Sequence, residues 1–145
     1  MPQIDWRHNR RQLFLPVAIF PSLSAPNPHH SELITGLIDT GATASGLRPD
    51  IIAQLVLEKR GKRVVGTANG EIVADRFLVR FGFFPGSFGE LPFDLASSHP
   101  FVLDREFFVH ALHPHFPHQM LIGMDLLGIS DLNIDRSGKV RLVLP

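Results

Sequence analysis

The hydrophobic pattern of the chain consists of short apolar runs separated by glycine, proline and polar residues. Runs at 13–20, 33–39, 107–112 and 120–122 have the length and apolar content of strands. Pro16 has no N–H to donate to a ladder, so we expect the first strand to lie at an edge or to carry a bulge. The chain is therefore predicted to be mostly β.

Helix and turn signals complete the predicted elements. A short helix is predicted over 49–57, where a proline suits the first turn, apolar side chains share a face, and Gly61 ends the helix. Asn69-Gly70 lies between two β-rich runs and predicts a hairpin, because both residues tolerate the positive φ of a type I′ turn. A serine–glycine pair at 137–138 predicts a second hairpin near the end of the chain.

The predicted organisation is a polar tail or edge segment at 1–12 followed by one domain at 13–145. A chain of 145 residues fits one domain, and it can bury roughly 70% of its unfolded surface without a disulfide or metal. Residues 85–100 are predicted to be an irregular insertion. Five phenylalanines are predicted to fill the core and an interface: Phe81, Phe83, Phe84, Phe88 and Phe93.

Composition excludes several classes of protein. The chain has no cysteine, which rules out disulfides, thiolate metal sites and cysteine nucleophiles. Its net charge is zero, so no nucleic-acid partner is expected, and the basic run at 59–63 is interpreted as a solvated surface. The first twelve residues are polar and the longest apolar runs are far shorter than the ~20 residues of a membrane span. We therefore expect a soluble, cytoplasmic protein without a secretory signal.

Asp39, Thr40 and Gly41 carry the most informative chemistry. The carboxylate follows an apolar strand, where burial is costly unless the group is hydrogen-bonded. A turn at Gly41 can direct backbone N–H groups at it, and Thr40 can bond locally or across an interface. The three residues alone are also typical of an ordinary turn.

Over roughly residues 12–145 the chain resembles the retropepsin-like aspartic proteases, the family of the retroviral proteases and their bacterial and eukaryotic relatives. Four features match in order. The segment LITGLIDTGATASGL is similar to the catalytic strand and loop, and the hairpin at Asn69-Gly70 lies where the family has its flap. MLIGMDLLG at 120–128 resembles the hydrophobic–hydrophobic–glycine motif with its following helix, and a terminal β segment completes the pattern.

This resemblance implies an all-β acid-protease barrel with one or two short helices, acting as a homodimeric aspartic endopeptidase without a cofactor. Two carboxylates must share a proton around one water, and the chain has one such aspartate, so a second identical chain is expected to supply the other. Asp39, Thr40 and Gly41 are the predicted catalytic residues. The residues predicted to bind an extended peptide substrate are Ala42 and, in the flap segment 66–70, Gly66, Thr67, Ala68, Asn69 and Gly70.

Two positions depart from many viral members. Thr43 and Met124 stand where those proteins have an acid and an arginine that form an ion pair. The dimer is therefore expected to be weak or to rely on apolar packing, with contacts from the strand at Leu13 and from 140–144. Asp125 is interpreted as a helix cap or part of a polar network rather than as the second catalytic carboxylate.

Two other functions remain open from the sequence. The first is a peptide-binding or dimerisation module of the same fold with little or no turnover. The second is a metal-binding protein, with ligands from the histidines of HPHFPH together with Asp104 or His110. Prolines stiffen that segment without directing the imidazoles, so no metal site is predicted. The histidines concerned are His113, His115 and His118.

Overall fold

The computed structural model describes residues 1–67, 69–95 and 98–145. The strands in these ranges are β1 (Gln3–Arg7), β2 (Phe14–Pro21), β3 (Glu32–Ile38), β4 (Gly46–Leu47), β5 (Lys59–Thr67), β6 (Gly70–Phe83), β7 (Gly86–Ser87), β8 (Phe101–Val102), β9 (Phe107–Ala111), β10 (Met120–Ile122), β11 (Asp131–Ile134) and β12 (Lys139–Val143). The helices are α1 (Pro49–Gln54) and α2 (Met124–Leu127). Neither helix has the length and hydrophobicity that crossing a bilayer requires.

Six strands close into a barrel in the order β2-β3-β10-β4-β9-β6, and β6 pairs back onto β2. Phe81, Val109 and Ile122 lie in its core with no exposed surface, and such apolar burial is the main favourable term in folding. Pro16 lies in the part of β2 that precedes the first pair with β6, at Ala18, so its missing N–H leaves the barrel intact. The predicted all-β barrel with short helices is confirmed.

A second sheet, in the order β11-β12-β1-β7, joins the two ends of the chain. Residues 1–12 were predicted to be a tail or edge segment, but β1 lies between β12 and β7 in this sheet. Ile4 and Trp6 of β1 are only 1% and 2% exposed. The strand was missed because two apolar residues among polar neighbours are too few to define a strand period.

The last strand belongs to the core of its own chain. β12 pairs with β11 on one side and β1 on the other, and Val140, Leu142 and Leu144 are at most 1% exposed. These three side chains, which were expected to contact a second chain, are therefore buried within their own chain. Both edges of the strand and its apolar side chains are already used within the chain.

The predicted helix at 49–57 is too long, because α1 ends at Gln54. Val56 has φ of 50°, in the left-handed region that ends a helix. Gly61 does not end the helix. It lies inside β5 with φ of 90°, where the pairing with β6 shifts register.

The hairpin of β5 and β6 differs from the prediction by one residue. Thr67 pairs with Gly70, so Gly70 is the first residue of β6 rather than a central residue of the turn. Gly70 still has the positive φ, 109°, for which glycine is suited. β6 also pairs with β9, but only from Arg76 onward, so the outer part of the hairpin is two-stranded.

The phenylalanine-rich segment supplies much of the core, as predicted. Phe81 and Phe83 are fully buried and Phe84 is 7% exposed. Phe88 and Phe93 are partly buried and stack on each other, with ring centroids 4.3 Å apart. They give the irregular segment after β6 its own small apolar contact.

Candidate active site

Asp39 lies directly after β3, at the edge of the barrel where two parallel strands end together. β3 and β10 run parallel, with Ile38 opposite Ile122. The Asp39 N–H donates to the Ile122 carbonyl oxygen at 2.9 Å, which extends the ladder by one residue. Gly123 follows β10 at the same edge, so the two motifs identified in the sequence meet here.

The Asp39–Gly41 turn orients the carboxylate through the backbone. Gly41 N–H donates to Asp39 Oδ1 at 2.9 Å, and Ala42 N–H donates to the Asp39 carbonyl at 3.1 Å. Asp39 is half-buried, whereas Thr40 and Gly41 are exposed in the single chain. The Thr40 hydroxyl has no hydrogen-bond partner among the described residues, which leaves it accessible to another molecule.

Gly123 supports the loop formed by residues 39–44, hereafter the Asp39 loop. A Cβ atom at position 123 would lie 2.7 Å and 2.8 Å from the carbonyl carbon and oxygen of Ala44, and 2.9 Å from the Ala42 oxygen. Such approaches to backbone atoms are incompatible with any side chain. Met124 N–H also donates to the Ala42 oxygen at 2.8 Å. Glycine is therefore required for α2 to pack against the loop.

Asp125 belongs to a polar network behind the Asp39 loop. Its Oδ1 accepts from the Ser45 hydroxyl at 2.7 Å, and its Oδ2 accepts from the Ser45 N–H at 3.0 Å. The same Ser45 oxygen accepts from the Gly123 N–H at 3.0 Å, and Oδ1 also accepts from the Leu126 N–H at 2.9 Å. Of the two predicted roles of Asp125, the polar network is confirmed, whereas the N-cap of α2 is Gly123. The carboxylate is committed to these bonds behind the loop.

Ser45, Arg63 and His110 were not recognised from sequence as parts of this network. Ser45 is fully buried, and His110 of β9 is 5% exposed. The backbone N–H of His110 donates to the Ser45 carbonyl. Burial lowers the pKa of His110, the Arg63 charge lowers it further, and Asp125 opposes both. A lone serine, arginine or histidine has no sequence pattern that reveals such burial, so no sequence signal was available.

The predicted flap residues lie at the end of the two-stranded hairpin. Gly66 and Gly70 both face open space, and the Thr67 hydroxyl donates to the Gly70 carbonyl at 2.6 Å. Asn69 N–H donates to the Thr67 hydroxyl oxygen at 3.3 Å, whereas Ala68 lies outside the described residues. The apolar side chains Val64 and Val73, which pair across the hairpin, are 62% and 64% exposed.

The histidines of the HPHFPH segment are dispersed in the structure. The rings of His113 and His115 are 5.5 Å apart, whereas His118 packs edge-on against Phe14 at 5.1 Å. His110 is buried in β9. Over the described ranges, no three metal-ligating side chains converge. The residues present therefore do not form the site that the metal-binding alternative requires.

Two surface grooves lie elsewhere on the chain. One, of about 380 Å³, is lined by residues 26–30, and the other, of about 550 Å³, by residues that include Phe14, Leu33 and Phe93. Asp39 lines neither of them.

The comparisons with known proteins support the fold. Among solved structures, the chain is similar to a retropepsin-like aspartic protease from Rickettsia conorii, with a TM-score of 0.57 and 16% identity. The similarity covers 97% of this chain and 89% of that one. No protein-family model and no curated protein matches the chain. The fold is therefore retropepsin-like, and at this identity the likeness extends to the fold alone.

Proposed function

We propose that this protein is an aspartic endopeptidase whose active site is shared by two identical chains. The observation that carries the proposal is the position of Asp39, half-buried at the shared end of β3 and β10, with one carboxylate oxygen held by the Gly41 N–H. Each chain contributes one Asp39. One carboxylate takes a proton from the attacking water while the other donates a proton to the substrate.

The second chain is proposed because the other acid of the two sequence motifs is already engaged within its own chain. Asp125, the nearest acid in the motif, binds Ser45 and Leu126 behind the loop. Two carboxylates brought together across a twofold axis cannot both ionise easily, so the pair holds one proton over a range of pH. The exposed Thr40 hydroxyl is available to hydrogen-bond across that axis.

Substrate is proposed to bind as an extended strand beneath the flap segment. The open edges of the β5–β6 hairpin and the exposed Val64 and Val73 are suited to cover a peptide, since an added strand gains main-chain hydrogen bonds and side-chain pockets. Ala42 in the Asp39 loop, together with Gly66, Thr67, Ala68, Asn69 and Gly70, would bind it.

Apolar contacts next to the Asp39 loop would hold the two chains together. Met124 is 43% exposed and stands where many viral relatives have an arginine, and Thr43 stands uncharged where they have an acid. Stable obligate dimers bury on the order of 2,000 Å² or more. In this proposal the surface around Met124, rather than residues 140–144, contacts the second chain.

The test is Asp39→Asn, which keeps the shape of the side chain but removes its charge. We expect the variant to lose cleavage of a denatured protein at mildly acidic pH while keeping the wild-type melting temperature. Asp104→Asn, the same change at an exposed turn, is the matched control and should cleave normally. Wild-type cleavage should be blocked by pepstatin. A wild type that binds peptide without cleaving it would contradict the proposal and favour a binding module.

A further inference from the structure

A groove of about 550 Å³, hereafter the distal groove, lies between the barrel and the irregular segment that follows β6. Phe14 of β2 and Leu33 of β3 line it from the barrel, and Leu91 and Phe93 line it from the irregular segment. Phe93 is held by its stacking on Phe88, with ring centroids 4.3 Å apart. A groove of this size with a mainly apolar lining is typical of ligand sites.

The face of β3 that lines the distal groove is also the face on which Asp39 lies. Ile34 is 3% exposed and belongs to the core. Because side chains alternate along a strand, Leu33, Thr35 and Leu37 project from the opposite face. Asp39 extends the ladder of β3 by one residue, so it falls on that same outer face. The groove and the carboxylate therefore lie along one continuous surface.

Phe14 connects the distal groove to the Asp39 loop. It lines the groove and pairs with Leu37 across β2 and β3. Leu37 is two residues before Asp39, which is about 7 Å along a strand. Leu33, which is 55% exposed, is six residues before Asp39, or about 20 Å. The groove thus extends from beside the candidate site to a distance that an extended peptide covers with about six residues.

Gln119 places a hydrogen-bond donor in the distal groove. β10 pairs with β3 only from Gly36 onward, and the Thr35 N–H donates instead to the Gln119 Oε1 at 2.9 Å. This bond fixes the amide, whose NH2 group makes no hydrogen bond within the described ranges. A fixed amide donor beside apolar side chains is suited to bind a peptide carbonyl.

We propose that the distal groove binds apolar side chains of the substrate that lie about four to six residues from the cleaved bond, at the rise of an extended strand. The preferred substrates are then long unfolded segments with apolar residues at that distance, rather than short peptides. This inference rests on the proposed protease function. Binding in the groove can nevertheless be measured without any cleavage.

The kinetic experiment uses oxidised insulin B chain, an unstructured peptide, to find a bond that the wild type cleaves. A short peptide keeps about three residues on each side of that bond, too few to reach Leu33. Two longer peptides extend it at both ends by about four residues, with leucines in one and serines in the other. Leu33→Gln makes the groove polar at an exposed position, and Ile134→Gln, at a residue of β11 that is 54% exposed, is the matched control.

For the wild type, we expect kcat/KM to be about fivefold or more higher for the leucine-extended peptide than for the serine-extended one, because apolar surface is buried in the groove. Leu33→Gln should reduce this ratio towards one and leave cleavage of the short peptide unchanged. Ile134→Gln should keep the wild-type ratio. A wild-type ratio of one, or the full ratio in Leu33→Gln, would overturn the proposal.

A binding measurement separates this proposal from the proposed function. The full chain carrying Asp39→Asn is titrated into fluorescently labelled oxidised insulin B chain, and anisotropy gives Kd. Adding Leu33→Gln should raise Kd by about fivefold or more, whereas adding Ile134→Gln should not change it. If the wild type cleaves no peptide but Leu33→Gln still weakens binding, the protease function fails and the groove remains a peptide site. If cleavage occurs and Kd is unaffected by Leu33→Gln, the groove proposal fails and the protease function remains.

Sedimentation of the same variants tests a second copy of the chain as the occupant of the groove. We expect Leu33→Gln to sediment as the wild type does at every concentration. A shift of Leu33→Gln towards the monomer, with peptide binding unchanged, would show that the distal groove contacts another chain and would overturn the proposal.

Discussion

A single methyl group at position 123 tests how closely the Asp39 loop is held. In Gly123→Ala the new Cβ would lie 2.7 Å from the Ala44 carbonyl carbon, and ordinary contact begins at 3.4 Å, so the loop or α2 must move by about 0.7 Å. The neighbouring atoms are backbone and cannot rotate away. Overpacking of this kind costs about 1–3 kcal/mol, which corresponds to a fall in Tm on the order of 3–10 °C for a chain of this size.

The same displacement has a larger effect on the proposed chemistry. A misplacement of about 1 Å can reduce a catalytic rate on the order of 100-fold, so we expect turnover to fall by about tenfold or more. Thermal unfolding and cleavage of a denatured protein measure the two effects. Gly89→Ala, at a glycine with open space around it, is the control and should change neither. Wild-type Tm and turnover in Gly123→Ala would refute the close packing described here.

Two further predictions concern the hairpin and the buried histidine. Gly70→Val places a β-branched side chain at φ of 109° and should lower turnover more than Tm. Gly66→Val adds the same side chain to the same hairpin without this backbone strain. Equal losses of turnover in the two variants would show that side-chain bulk, rather than strain at Gly70, is the cause. The pKa of His110 is lowered by burial and by Arg63, so the unfolded chain binds more protons, and stability should fall as pH decreases below about 6.5. The Asp125 carboxylate acts in the opposite direction and raises the pKa of His110. In His110→Gln, Tm should therefore decrease less between pH 7 and 5 than it does in the control His99→Gln, which changes an exposed histidine. An equal decrease in both variants would show that His110 is not the cause of the pH dependence.

The barrel and the loop of Asp39 could be predicted because their signals are local. Apolar runs of strand length define β2, β3 and β9, and the turn predicted at Gly41 directs its N–H at the Asp39 carboxylate. The network role of Asp125 was one of two roles predicted from its place at the start of a short helix. These features depend on residues that are near one another in the sequence.

The features that sequence analysis missed depend on long-range pairing. β1 is recognisable only beside β12, more than 130 residues away, and its two buried residues give no period of their own. The burial of Val140, Leu142 and Leu144 within the same chain follows from that pairing. Arg63 was assigned to a solvated basic run because β9, whose Phe108 carbonyl it bonds, had not been placed next to the predicted hairpin. A charged residue of this kind becomes distinctive only when its neighbours are known.

The shared site is tested most directly by mixing chains. Wild-type and Asp39→Asn chains, unfolded together in equal amounts and refolded, should pair at random, so about one quarter of the dimers carry two Asp39 residues. The account predicts about one quarter of the activity of the same total amount of wild-type protein. Activity of about one half, the value for chains that each work alone, would contradict it.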